Sequence, residues 1–280
     1  MMTDKKSNIE KISPLVHRVT AGNSSVFTGP GTNTYLIGDK DVTVLDPGPA
    51  LQEHIDSIAS FSSNINQIVI THTHLDHSPG VKLLKDKLDI PAYGLITDSS
   101  KDQDRTLVLD EQLEHGQILS FSDYDLEVVH TPGHASNHLC YILKQEELIF
   151  TGDHIMNGST VVIAPPDGNM KHYLESLEIL KDYKLKTIAP GHGDLLENPY
   201  AVADWIIQHR LEREKKVKEA LDKVGKGNPD SLVEEVYDDV SEALFPIAKW
   251  SLESHLIKLY EEDRIKKEGK PYFSKNRSLI

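Results

Sequence analysis

Residues 71–80 read THTHLDHSPG and follow the apolar run IVI at 68–70. Three histidines and an aspartate within six positions at the end of a strand-like run restrict the fold more than any other stretch. Imidazoles and carboxylates taken into a protein interior cost several kcal/mol unless they are paired or hold a metal. At strand spacing His72 and His74 point to the same side, so their rings can converge on one cation. Asp76 and His77 follow in the turn before a helix that begins near Ser78, where they can face a second cation beside the first.

A site of this kind needs ligands from other strand ends, because metal sites in mixed folds assemble from loops at one edge of a sheet. Three further places have the same form. His134 stands in VVHTPGHAS, Asp153 in LIFTGDHI and His192 in TIAPGHGD, each a few residues past an apolar run and each beside glycine. With the opening cluster they make seven ligand-type residues.

Between about residues 33 and 193, short runs such as NTYLIG, VTVLD, QIVIT, LCYIL and LIFTGD read as strands of four to six residues. LQEHIDSIASFSS, HSPGVKLLKDKLD and MKHYLESLEILKDYK carry apolar residues at helical spacing, so the class is α/β with sheet and helices sharing a core. After ENPY the composition changes. Residues 205–224 predict one long amphipathic helix stopped by GKGNPD, followed by helices in SLVEEVYDDV and AKWSLESHLIKLYEEDRI and a basic tail, KKEGKPYFSKNR. The expected division is a catalytic domain over 1–204 and a helical module over 205–280.

In its order HTHLDH, GH, GD and GHG, the chain resembles the metallo-β-lactamase-fold hydrolases over most of residues 15–200. The resemblance implies a four-layer αββα sandwich. It also implies that His72, His74 and His134 hold one metal ion, that Asp76, His77 and His192 hold a second, and that Asp153 bridges both. Imidazole and carboxylate ligands without thiolate suit two zinc ions, and manganese or iron accept the same donors. GPGTNTYLIG and the C-terminal helices are similar to the branch that includes lactamase-beta-like protein 2, an endoribonuclease with a small winged-helix-like domain behind its catalytic one. Two positions depart from the family pattern: Ala135 replaces a threonine after His134, and Pro47 replaces one in the DTG turn. Asp46 of that turn is expected to hydrogen-bond toward the ligand loop and orient it, while Asn137 and His138 are expected to reach substrate.

The implied chemistry is hydrolysis by a hydroxide shared between two ions, with Asp76 accepting a hydrogen bond from it. No Ser/His or Cys/His pair is needed. Cys140, the one cysteine, lies in LCYIL and reads as a small buried hydrophobe. His17, His54, His115, His172, His209 and His255 read as surface or satisfied residues, while His130 and His154 flank the ligand motifs.

Charge bears on the substrate. The chain carries a formal net charge of −14, against coating nucleic acid through bulk positive potential. Residues 201–280 hold 15 Lys+Arg against 16 Asp+Glu, so the 15 against 28 in residues 1–200 carry nearly all the acidity. Single-stranded RNA, touched by basic residues in 210–218 and 264–277, is the leading expectation. A small thioester or ester, cut as in glyoxalase II or acyl-thioesterases, is the alternative, and a non-catalytic metal-binding adaptor is the reading from another class. No apolar stretch approaches the roughly 20 residues of a membrane span. MMTDKKSNIEK lacks the apolar core of a secretory signal, so a cytoplasmic protein is expected.

Overall fold

The structure is a computed structural model and describes residues 9–97 and 103–275. The first eight residues of the N-terminal stretch, and Asn276 and Arg277 of the basic segment, lie outside the described residues. Two compact units emerge. The first holds the residues up to Thr131 with Asn137–Ser159 and Lys184–Pro199; the second holds Pro132–Ser136, Thr160–Tyr183 and the residues from Tyr200 on.

In the first unit one sheet runs in chain order: β1 (Ile9–Lys11), β2 (Val16–Thr20), β3 (Asn33–Ile37), β4 (Val42–Leu45), β5 (Ile65–Val69), β6 (Ala92–Gly94) and β7 (Glu111–Gln112). Pairing is antiparallel up to β4 and parallel from β4 to β7. Helices α1 (Gln52–Ala59) and α2 (Gly80–Leu88) make two of the parallel crossovers. The second sheet is β8 (Ile118–Ser120), β9 (Asp125–His130), β10 (Leu139–Leu143), β11 (Leu148–Gly152), β12 (Thr187–Pro190) and β13 (Leu196–Glu197), antiparallel except for β11 with β12.

The strand sequences explain the stacking. In β3, Tyr35 and Ile37 point into a core shared with Tyr141 and Phe150 of the second sheet, while Leu36 points the other way, into a core with Ile55 of α1 and Leu84 of α2. With both faces covered, such strands read as unbroken apolar runs. The ligand-type residues follow the C-terminal ends of β5, β9, β11 and β12.

The second unit contains α3 (Met170–Ile179), α4 (Pro199–Val224, from Tyr200 on), α5 (Pro229–Val236) and α6 (Phe245–Glu261). The 204/205 boundary therefore falls inside one continuous helix. A capping box between Asn228 and Ser231 starts α5, and Val217, Leu221, Leu232, Val236, Leu252 and Leu256 form the core of α4, α5 and α6. The expected basic tail is a sheet instead. β14 (Lys226–Gly227) and β15 (Ile265–Lys267) flank β16 (Tyr272–Ser274), with Ile265 and Tyr272 buried. Its charged residues hid the alternation, since only these apolar side chains face the core. Among the described residues no helix is long and apolar enough to cross a membrane.

Candidate metal centre

In the first unit the ligand loop begins at Thr71, two residues after β5 ends, and four side chains meet around it. His192 Nε2 lies 3.2 Å from both Asp76 Oδ2 and Asp153 Oδ1. His77 Nε2 lies 3.5 Å from Asp76 Oδ2 and 3.4 Å from Asp153 Oδ1, yet it makes no hydrogen bond although it is fully buried. His72 Nε2 is 3.0 Å from His74 Nδ1, and the ligand atoms of both fall within 4.8 Å of one from Asp153. Bonds of about 2.0–2.1 Å to a tetrahedral cation put neighbouring ligand atoms about 3.3 Å apart. These spacings, and the orphaned His77 Nε2, fit divalent metal.

Electrostatics agree with that fit. Burial lowers the pKa of His72, and the neighbouring His77 and His74 lower it further, well below its usual value, so its ring is neutral and able to bind metal. Burial also opposes charge on His77 and His192, but facing carboxylates prevail. Asp76, Asp153 and Asp46 hold His77 well above the usual range, and Asp153 with Asp76 raises His192 to about 9. Although burial pushes Asp76 up, His77 and His192 bring it to about 2; the same two rings outweigh burial at Asp153 and keep it well below the carboxylate range. Without metal, two imidazolium protons therefore face two carboxylates, supplying the positive charge that a cation would bring.

The neighbouring backbone and hydroxyls hold the ligands. Asp46 is fully buried; it accepts the Thr71 amide and hydroxyl protons at 2.7 Å each and lies 2.9 Å from His77 Nδ1. His192 Nδ1 donates to the Gly31 carbonyl at 3.1 Å, and Thr32 Oγ1 is 3.4 Å from Asp76 Oδ2. Close approach explains the glycines. A Cβ at Gly152 would stand 2.6 Å from Thr71 Oγ1, and one at Gly191 would stand 2.8 Å from His77 Cε1 and 2.9 Å from Asp153 Oδ1.

Asn137 and His138 lie against the ligand loops. Both are fully buried and serve the loops rather than an open face. Asn137 Nδ2 donates to Thr73 Oγ1 at 2.7 Å and to the Leu95 carbonyl at 3.0 Å. His138 Nε2 accepts from the Asp153 amide at 3.2 Å, and its Nδ1 lies 2.9 Å from Thr131 Oγ1. These bonds tie both side chains to the ligand loops.

His134 lies in the second unit, on the five-residue segment between Thr131 and Asn137. Its Nδ1 is 2.7 Å from the Val162 carbonyl oxygen, so the ring donates there and carries its proton on Nδ1. Sequence reading missed Thr71, Thr32 and Val162, whose residue types are too common in loops and strands to signal a role. Cys140 is no nucleophile: burial pushes its thiol up to about 12. His54 and His255 are both buried; His54 is satisfied, its Nε2 lying 2.8 Å from Thr34 Oγ1, and burial lowers its pKa to about 4.

Comparison with known proteins gives two family matches. Residues 27–192 match the metallo-beta-lactamase superfamily, and residues 229–274 match the beta-lactamase associated winged helix domain. The chain is 32% identical to a beta-lactamase-like protein 2 homolog from Caenorhabditis elegans over 241 residues, covering 82% of this chain and 79% of that protein. It is 36% identical to an atrochrysone carboxyl ACP thioesterase from Aspergillus chevalieri over 222 residues, covering 76% and 68%. A beta-lactamase domain protein from Burkholderia ambifaria shares the fold, with a TM-score of 0.82 at 15% identity over 96% of this chain and 94% of that one.

Proposed function

The chain belongs to the metallo-β-lactamase superfamily and is a metal-dependent hydrolase, and from that membership we propose that it hydrolyses an acyl thioester or ester at a two-metal site. His72, His74, His134 and Asp153 would hold one ion, and Asp76, His77, His192 and Asp153 would hold the other. The observation that carries this reading is the meeting of His77 and His192 with Asp76 and Asp153, where a buried imidazole nitrogen is left without a hydrogen bond. Zinc is the proposed metal, from the donor set. Two bound divalent cations supply Lewis acidity and acidify water.

The chain's own residues do the rest. Asp76 stays ionised at neutral pH and accepts a hydrogen bond from the attacking water, keeping a lone pair directed at the carbonyl carbon. The water oxygen adds to that carbon, the C–S bond breaks, the thiolate takes up a proton, and acid and thiol leave. Thr32 Oγ1 beside Asp76 Oδ2 restrains the carboxylate during this step.

The choice of bond rests on a thioesterase-named relative at 36% identity and on the state of the basic residues once expected to touch RNA. Arg213 binds Asp239 at 2.8 Å, Lys216 binds Asp238 at 2.6 Å, Lys218 binds Asp222, and Arg264 pairs with Glu214 and Glu262. Arg210 is buried. Ion pairs of this kind lower the positive charge that these residues offer a phosphate backbone. RNA cleavage is kept as the second reading because the likeness to the beta-lactamase-like protein 2 homolog and the winged-helix match support it.

One panel tests both. Metal-loaded protein of measured metal content is offered acyl-CoA with a thiol trap, S-lactoylglutathione, bis-p-nitrophenyl phosphate and labelled single-stranded RNA, beside Asp76→Asn. Thiol release that Asp76→Asn loses is the expected result. RNA cleavage without thiol release would overturn the assignment of the bond.

A further inference from the structure

We propose that Arg210 of α4 and Ser251 of α6 are positioning residues for His134, so that the C-terminal helices set one imidazole of the metal centre through the backbone of residues 161–163. The inference rests on His134 being a metal ligand, as assigned above. All its parts lie within the second unit.

The chain of contacts is short. His134 Nδ1 donates to the Val162 carbonyl at 2.7 Å, which fixes the tautomer and presents Nε2 as the donor atom for metal. The residues on either side of Val162 are clamped. The Arg210 guanidinium donates to the Val161 carbonyl, and the Ile163 amide donates to Ser251 Oγ at 3.3 Å. Residues 161–164 belong to no helix or strand, so no regular backbone ladder fixes the direction of the Val162 carbonyl.

The character of Arg210 points the same way. It is 3% exposed, lies 5.6 Å from the Tyr173 ring centroid and has no carboxylate partner among the described residues; its Nε has no hydrogen bond. A buried cation without a counter-ion is a poor device for stability, since an apolar side chain of similar volume is often neutral or better there. Its one hydrogen bond among the described residues goes to the strap beside the His134 acceptor. The loop carrying His134 is also held by the Asn169 amide on the Gly133 carbonyl at 2.8 Å and by the Ser136 amide on Asp167 Oδ1 at 3.1 Å. Those bonds fix the loop backbone, and the bond to Val162 holds the ring.

The test uses the full chain loaded with cobalt in place of zinc. Arg210→Met keeps the stem and removes the donor, Arg210→Lys restores a charged donor, and Ser251→Ala removes the other clamp. The expected result is a loss of about 10- to 100-fold in affinity for one ion in Arg210→Met, with a changed visible cobalt spectrum, the other ion retained and partial recovery in Arg210→Lys. Ser251→Ala shifts the spectrum in the same direction by less. Folded Arg210→Met with the parent spectrum and affinities overturns the proposal. If Arg210→Met does not fold, parent spectra in both Arg210→Lys and Ser251→Ala overturn it instead. His134→Ala separates the two levels: if it binds two ions as tightly as the parent, the ligand assignment has failed rather than the positioning role.

Discussion

His77 Nδ1 lies 2.9 Å from Asp46 Oδ2, and neither side chain has any exposed surface. The same carboxylate accepts the Thr71 amide and hydroxyl, so one residue after β4 ties together the first and last residues of the stretch from Thr71 to His77. It keeps the His77 proton on Nδ1 and leaves Nε2 for metal. Asp46 sits at φ 49°, a left-handed conformation that Asn tolerates and most other residues do not. Asp46→Asn is therefore the clean substitution. It is expected to weaken binding of one metal ion by about 10- to 100-fold. Chelator competition on folded protein measures this, and parent affinity would refute the role.

Asp76→Asn removes the charge that accepts the hydrogen bond from water but keeps a similar shape beside Thr32. Turnover on whichever substrate the panel identifies is expected to fall about 100-fold or more. Thr32→Val, which removes only the hydroxyl next to Asp76 Oδ2, is expected to cost less. Steady-state rates on metal-matched preparations decide. Equal rates for Asp76→Asn and the parent would remove Asp76 from the chemistry.

A Cβ at Gly152 would lie 2.6 Å from Thr71 Oγ1, 2.7 Å from Thr71 Cβ and 2.9 Å from His138 Nε2, at a φ of +45°. Gly152→Ala is expected to cost about 1–3 kcal/mol of stability through overpacking. It should also lower metal content, because Thr71 anchors both Asp46 and His72. Gly158→Ala also falls at a positive φ, +81°, but with nothing within 4 Å, so it should cost only backbone strain and keep its metal. Melting temperature with elemental analysis distinguishes the two.

The ligand-type residues were legible because such side chains are costly in an interior without a partner, and four of the seven stand within six positions. β3, β10 and β11 were legible because sheets covered on both faces leave unbroken apolar runs. What failed was a matter of small signals. β15 and β16 have three residues each, too few to show an alternation, and only contacts from elsewhere in the chain make Ile265 and Tyr272 core residues. Thr71 and Thr32 act through single hydroxyls, which sequence does not distinguish from ordinary strand and loop threonines. That the His138 ring meets the Asp153 amide and Thr131 Oγ1 is likewise invisible in its position after His134.

Metal loading should release protons, with a sign that the facing groups determine. Beginning from an ordinary value of 6.5, His192 is raised to about 9 and His77 well above its usual range, so both carry protons at pH 7 in metal-free protein. Stability contributed by such raised groups is fully present below pH 6.5 and is lost as pH climbs through about 9. Asp76, lowered from 3.8 to about 2, acts oppositely: its contribution is present above 3.8 and is lost as pH falls through about 2. At this site the metal-free protein is therefore held best between about pH 4 and 6.5. Metal must displace the His77 and His192 protons, so about two protons should leave per protein at pH 7. The gain in melting temperature from zinc should accordingly be larger at pH 8.5 than at pH 6. Calorimetric titration of chelator-stripped protein in buffers of different ionisation enthalpy counts the protons directly. Zinc binding with no proton release would mean that His77 and His192 do not bind the metal.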